Sequence, residues 1–171
     1  MKVLWSWLLE LCDLPNVPTV EEGAKALTRG GLEIEGMTNL GAGFSGVVVA
    51  EVVGKRVHPQ ADKLTLVDVI TERGGAATQV VCGAPNVPEP GGLVVLAPLG
   101  AHLPAKNVTI AKRAIAGVES EGMLCSEDEL GLGDGHDGII VLAEGSAAKV
   151  GSSLATAIPG TRDTVLDLNV T

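Results

Sequence analysis

The chain has 171 residues and a formal net charge of −9, which allows one ordinary domain or a compact barrel with a smaller companion. Its 46% apolar and 19% charged residues predict a folded chain, and the acidic balance excludes a generic polyanion binder, whose affinity leans on Lys and Arg. No apolar run reaches the roughly 18 residues of a membrane span, and Met1-Lys2-Val3-Leu4-Trp5-Ser6-Trp7 leads into Glu10 and Asp13 rather than a secretory cleavage site, so a soluble, cytoplasmic protein is expected.

In chain order, Ser6 is placed to cap a short helix through Leu11, after which Pro15 and Pro18 impose an extended connection. Thr19-Val20-Glu21-Glu22 has the spacing of a capping box, in which the Thr hydroxyl and the Glu carboxylate each accept an amide at the helix start. A helix over about Val20–Arg29 follows, stopped by Gly30-Gly31 in a left-handed cap. Leu32-Glu33-Ile34-Glu35 then alternates like a strand with one buried face. Residues 1–40 are read as an αβ segment.

Residues 41–151 change to short Val, Leu and Ile runs separated by Gly and Pro, at 47–53, 64–70, 78–82, 93–96, 108–110 and 139–142. Glu72-Arg73-Gly74-Gly75 reads as a hairpin turn, and Ser126-Glu127-Asp128-Glu129 as a second capping box over a single helical turn at the rim. Such a pattern predicts a small β-barrel or sandwich, and six short runs suffice for a five-stranded barrel with an elaborated rim. Residues 152–171 return to mixed character, and the alternating run Thr164–Val170 is expected to pair with the strand near Ile34. The predicted fold class is mainly β with α+β: a five-stranded OB-fold barrel, spanning 41–151, inserted in a small αβ domain built from both ends of the chain.

Cys12, Cys82 and Cys125 are odd in number, far apart and without a C-x-x-C pair, so buried or redox-silent thiols are expected rather than a disulfide framework or zinc site. Lys55, Arg56, Lys63, Lys106, Lys112 and Arg113 fall in or beside the barrel loops, whereas Glu119, Glu121, Glu127, Asp128, Glu129, Asp134 and Asp137 crowd the stretch after them. The default reading of such an acidic run is a solvated face.

Two segments resist a filler reading: His58-Pro59-Gln60-Ala61-Asp62-Lys63-Leu64, between the first two barrel runs, and Gly117-Val118-Glu119-Ser120-Glu121-Gly122-Met123. In an oligonucleotide-binding barrel the first strand connection contacts ligand. The bland alternative is a turn fixed by Pro59, local amide bonds to Asp62 and a solvated Lys63. The sharper one has Lys63 on a phosphate while His58, Pro59 and Asp62 hold the loop that aims it. The candidate nucleic-acid-binding residues are Lys55, Lys63, Lys106 and Lys112 for phosphate, Asn86, Ser120 and Ser126 for phosphate or ribose, and Met123, beside a glycine that permits close backbone approach. Three of these have a structural alternative: turn formation beside Pro85 for Asn86, helix capping with Glu129 for Ser126, and a barrel plug for Met123.

Aromatic content decides the mode of binding. The chain has no Tyr, Phe44 is its single Phe, and Trp5 and Trp7 fall in the N-terminal helix, so base stacking is nearly unavailable and recognition of folded RNA by shape remains. Gly131-Leu132-Gly133-Asp134-Gly135-His136 lacks the dinucleotide fingerprint, Asp134 and Asp137 miss calcium-loop spacing, and His58, His102 and His136 lack ligand spacing. No catalytic residue and no metal site is predicted.

The sequence series Trp5-Ser6-Trp7-Leu8, Asp13-Leu14-Pro15, Gly31–Gly36, the HPQADKL segment, Val81-Cys82-Gly83-Ala84-Pro85-Asn86-Val87 and Ser120–Ser126 resembles the N-terminal part of bacterial phenylalanyl-tRNA synthetase β subunits over nearly the whole chain. The barrel alone also resembles free-standing tRNA-binding proteins. The family more usually carries Asn where this chain has Gln60. The resemblance implies an auxiliary tRNA-binding module of a class II ligase, with tRNA, the α subunit and the rest of the β subunit as partners and no membrane. It implies a piece of a longer subunit, since such subunits continue beyond the position of Thr171. It also implies no activity or cofactor in this piece, the ATP and Mg of the complete synthetase being used elsewhere. The alternative function is structural, an acidic barrel that packs within the synthetase and binds little RNA.

Overall fold

The computed structural model describes residues 1–40, 46–143, 145–146, 148–158 and 160–169; Phe44, Val170 and Thr171 lie outside them. In chain order the elements are β1 (Lys2–Leu4), α1 (Trp5–Leu11), α2 (Val20–Arg29), β2 (Glu33–Leu40), β3 (Val48–His58), β4 (Ala61–Ile70), β5 (Thr78–Cys82), β6 (Leu93–Pro98), β7 (His102–Leu103), β8 (Val108–Thr109), β9 (Arg113–Ile115), β10 (Val118–Ser120), β11 (Gly122–Leu124), α3 (Glu127–Leu130), β12 (Val141–Leu142), α4 (Leu154–Ala157) and β13 (Asp163–Asn169). The described residues before position 43 and after 159 form one unit, and those between form a second.

In the first unit the antiparallel sheet has the order β1-β13-β2, with Leu166 opposite both Val3 and Met37. Alternation along β13 buries Thr164, Leu166 and Leu168 on one face. The capping box of α2 is closed at both ends: Thr19 Oγ1 accepts the Glu22 amide at 3.2 Å, and Glu22 Oε2 accepts the Thr19 amide at 2.8 Å. These bonds hold the exposed Glu22 carboxyl below its usual range. At the other end Leu32 donates to Leu27 and Gly31 to Thr28, with Gly31 at φ +93°, a Schellman ending that needs the left-handed residue. Ser6 departs from its expected capping role. The helix α1 begins two residues earlier than a Ser6 cap would set it, at Trp5, and Ser6 instead donates its amide (3.2 Å) and hydroxyl (2.6 Å) to the Asp163 carboxylate of β13. A neighbouring strand thus supplies the acceptor that the local sequence lacks.

The second unit is an antiparallel OB-type barrel. Strand order is β11-β6-β3-β4-β5, and β11 packs back against β5 to close it. The interior gathers Val52, Val67, Val69, Val80, Val94, Leu96 and Leu124. A second cluster, including Val47, Val95, Leu103, Ile110, Cys125, Leu130 and Leu154, covers the outer side. The run Leu93-Val94-Val95-Leu96 is continuously apolar because β6 is buried on both faces: Val94 and Leu96 point into one cluster and Val95 into the other.

Three sequence expectations change here. Of the six runs, 108–110 forms only a two-residue ladder with β7, and 139–142 contributes only β12, paired with β6. The fifth barrel strand is β11, inside the second motif. Its first residue, Gly122, hides the strand pattern, because a β-carbon there would lie 3.0 Å from Leu96 Cδ1 and 3.2 Å from the Ala97 carbonyl; the close crossing over β6 requires glycine. The HPQADKL segment is not an open loop: β3 runs through His58, β4 starts at Ala61 and Pro59-Gln60 turns between them, while a register shift from His58–Ala61 to Val57–Thr65 leaves Asp62-Lys63-Leu64 as an irregularity of β4. Finally, residues 152–158, expected to rejoin the αβ domain, belong with the barrel. Ser152 and Leu154 hydrogen-bond to Val49 and Val47, and Leu154 is fully buried in the outer cluster.

Candidate nucleic-acid interface

Two hairpin tips meet at one end of the barrel unit. The first is Pro59-Gln60 between β3 and β4. The second is Ala116-Gly117 between β9 and β10, with φ values of 47° and 83°, the signs a two-residue mirror-image turn demands. His58, only 2% exposed, joins them. Its Nδ1 accepts the Gln60 amide at 3.1 Å, so Nε2 carries the proton and donates it to the Ile115 carbonyl at 3.2 Å. The Gln60 side chain lies against Gly117, where a β-carbon would come within 3.2 Å of its Oε1.

The β9–β10 hairpin is in turn fastened to β5. Buried Ser120 accepts the Val81 amide at 3.0 Å and donates to the Gly122 carbonyl at 3.0 Å. Gln79 donates its side-chain amide to Glu119 O at 2.9 Å and accepts the Glu121 amide on its own carbonyl at 2.9 Å. A folded scaffold therefore presents the strand positions behind both tips: Asp62 and Lys63 on β4, and Lys112 and Arg113 leading into β9.

The sequence-chosen cations separate by charge pairing. Lys55 Nζ donates to Val87 O at 2.7 Å and pairs with Glu89 at 2.9 Å. Lys106 pairs with Asp128 of α3 at 2.7 Å. Lys112 sits between Glu119 at 2.8 Å and Glu121 at 3.0 Å, and these bonds push its ammonium above the usual lysine range. Arg56, on the outer face, engages Asp68 and Gln79. The Lys63 side chain is exposed and has no hydrogen bond or ion pair among the described residues. Arg113, which sequence reasoning left out of the site, shares that state. Nothing local distinguishes it from Lys112; only the positions of Glu119 and Glu121 do.

The uncharged candidates divide differently. Asn86 donates to Ile139 O at 2.8 Å and accepts the Ile139 amide at 2.9 Å, a two-point staple across 53 residues. A β-carbon on Gly138 would fall 2.6 Å from the side-chain amide of Asn86. Ser126 accepts the Glu129 amide at 3.3 Å and donates its own to Glu129 at 2.8 Å, which closes the cap of α3. Met123 is half-buried against the outer cluster. Met123 and Ser126 line a cavity of about 280 Å³ with Cys82, Glu129 and His136; Met123 and Ser120 line another of about 120 Å³ with Arg113 and Ile115. Asn86 and Lys55 belong to neither lining. Of the residues expected to shape the first turn, His58 and Pro59 do so, while Asp62 is exposed with no bond among the described residues.

Burial raises the Cys82 thiol and pushes Cys125 up to about 12, with the Glu129 charge adding to each. Cys12 is exposed. Among the described residues no cluster of His, Cys, Asp or Glu is arranged to hold a metal ion, and no helix is long and apolar enough to cross a membrane.

Residues 47–152 match the family model described as "Putative tRNA binding domain". The whole chain is similar to proteins named phenylalanine–tRNA ligase beta subunit: 40% identical over 171 residues to that of Syntrophus aciditrophicus, 43% over 171 residues to that of Rhodopseudomonas palustris, and 43% over 172 residues to that of Ruegeria pomeroyi. In each case all of this chain is covered, against 20%, 20% and 21% of the relative. The chain spans about a fifth of the length of the curated relatives it matches.

Proposed function

This chain belongs to the tRNA-binding domain family, and we propose that it is an auxiliary tRNA-binding module that meets folded tRNA through phosphate and ribose at the two-hairpin end of its barrel. One observation carries this reading. Of the four lysines singled out from sequence, Lys63 alone has no carboxylate partner among the described residues, and it stands beside the turn that His58 makes rigid. A free ammonium on a preorganised hairpin can accept a phosphate without first giving up an internal partner. Phosphate contacts of this kind position an RNA without reading its sequence, which suits a chain with almost no aromatic side chains.

In this reading the module serves a phenylalanine–tRNA ligase, with the α subunit and the rest of a β subunit as its protein partners, in the cytoplasm. In this reading no residue here takes part in amino-acid activation and the module holds no cofactor of its own, the ATP and Mg belonging to the complete ligase.

The pairing of Lys55, Lys106 and Lys112 with acids favours a second reading, a structural barrel that packs within the ligase and touches RNA weakly. A titration of labelled phenylalanine tRNA at about 50 and 200 mM salt, the range over which phosphate-driven affinity falls steeply, separates the two. Salt-sensitive binding that Lys63→Ala weakens supports the module. No binding at either salt supports the structural role.

A further inference from the structure

The β9–β10 hairpin carries two adjacent cations whose electrostatic situations differ. Lys112 is held by two carboxylates of the same hairpin region, Glu119 at 2.8 Å and Glu121 at 3.0 Å. An approaching phosphate would have to displace both and then sit beside them, so the local field opposes it. Arg113 is exposed, stands opposite Ser120 in the ladder, and has no partner among the described residues. Its strand is also fixed. Ser120 is bonded to Val81 and Gly122, and Ile115 to His58.

Both free cations of this end lie close in sequence to the contact that joins the tips. Lys63 lies two residues beyond Ala61, which pairs with His58, in the register shift that separates that pair from Val57–Thr65; Arg113 lies two residues before Ile115, which accepts from His58. A guanidinium presents a planar fork of donors that matches phosphate oxygens in pairs, and so makes a stronger anchor than a lone ammonium.

We propose that Arg113 is the phosphate contact of the β9–β10 hairpin, acting with Lys63 on the same tRNA, and that Glu119 and Glu121 withhold Lys112 from phosphate. This assignment rests on the tRNA-binding reading above and adds a residue that neither the sequence motifs nor the family match singles out. It also makes the two carboxylates a brake on affinity, since their removal leaves a second cation free beside the first.

The test uses the full chain and labelled phenylalanine tRNA at about 50 and 200 mM salt. Arg113→Ala is expected to weaken binding roughly threefold to tenfold at the lower salt and to flatten the salt slope by about one. Lys112→Ala should stay within about twofold of the parent, because its charge is already matched. The double variant Glu119→Gln with Glu121→Gln should bind roughly threefold tighter or better, and Lys112→Ala in that background should remove the gain. The Arg113 side chain is exposed and has no hydrogen bond or ion pair among the described residues, so Arg113→Ala keeps the fold, which circular dichroism checks. Three results overturn the assignment while leaving tRNA binding intact: Arg113→Ala binding like the parent while Lys63→Ala weakens; Lys112→Ala weakening binding as much as Arg113→Ala; or a gain from the Gln pair that persists without Lys112. Absence of binding by the parent at either salt overturns the functional reading, and this assignment with it.

Discussion

The His58 imidazole donates to the Ile115 carbonyl at 3.2 Å, across 57 residues of chain, while its other nitrogen accepts the amide of Gln60 two residues on. One buried ring thus fixes the turn of its own hairpin and docks a second. Both hydrogen bonds require the neutral ring with the proton on Nε2, so the geometry selects the tautomer.

His58→Ala should expose this role directly. The substitution leaves the Gln60 amide and Ile115 carbonyl without their partner at a site that is nearly closed to water, at a cost of about 1–3 kcal/mol. Urea unfolding should show the lowered midpoint, and amide exchange should accelerate first at Gln60 and in β9. Unchanged exchange in β9 would mean that the ring does not dock the second hairpin.

Ala116 occupies a left-handed conformation at φ 47°, which suits Gly or Asn better than Ala. Ala116→Asn creates the Asn-Gly pair favoured by mirror-image turns and should stabilise the protein by about 0.5–1 kcal/mol. The expected readout is a higher urea midpoint at constant slope. A lower midpoint would show that the turn tolerates Ala without strain.

Asn86 and Gly138 should behave as a single unit. Either Asn86→Ala or Gly138→Ala disrupts both bonds to Ile139, so each is expected to cost about 1–3 kcal/mol, and the double variant little more than the larger single one. Additive losses would disprove the shared staple. If Asn86 acts through this staple, Asn86→Ala also leaves the salt slope of tRNA binding unchanged, in contrast to Lys63→Ala.

Gly23 lies under the Trp5 ring, where a β-carbon would fall 2.0 Å from Cη2. Gly23→Ala gains helix propensity but must displace the ring, for a net loss of about 1–3 kcal/mol. Both Trp residues belong to α1 and the chain has no Tyr, so tryptophan fluorescence reports the αβ unit. The fluorescence transition should move while amide protection in the barrel strands does not. A fluorescence transition at its parental midpoint would contradict the packing.

Cys125 is fully buried with a thiol pushed up to about 12 from 9.0. The folded form therefore holds its proton more tightly than the unfolded chain does. The stabilising contribution is complete below about pH 9 and is lost as pH rises from there toward 12. Alkaline destabilisation measured by urea midpoints between pH 8 and 10.5 should be shallower in Cys125→Ala than in the parent. Alkylation of the folded protein at pH 8 should modify Cys12 and spare Cys82 and Cys125; rapid loss of all three thiols would refute the buried assignment.

Local grammar was readable in advance wherever a residue and its partner lie within one turn of chain. The boxes Thr19–Glu22 and Ser126–Glu129 and the Gly30-Gly31 ending formed as read, because each bond spans three to five residues and depends on little else. Ser6 failed the same logic: its acceptor, Asp163, is 157 residues away. The strand at Gly122 was invisible because its glycine answers the crowding of β6 rather than strand propensity. Residues 152–158 were misplaced because Leu154 packs with residues nearly sixty positions distant or more on other strands, such as Val95.

The sequence by itself determined the class of fold, the insertion of the barrel between two halves of an αβ unit, and the family, since periodicity, glycine placement and linear motifs are properties of neighbouring residues. Only the tertiary structure decided which cations are free. Coulombic pairing acts through space at about 3 Å, and the acids that neutralise Lys55, Lys106 and Lys112 arrive from 7 to 34 residues along the chain. Composition fixes how much charge the chain carries, but folding decides where that charge is cancelled and leaves the Lys63 and Arg113 side chains without an acid partner among the described residues.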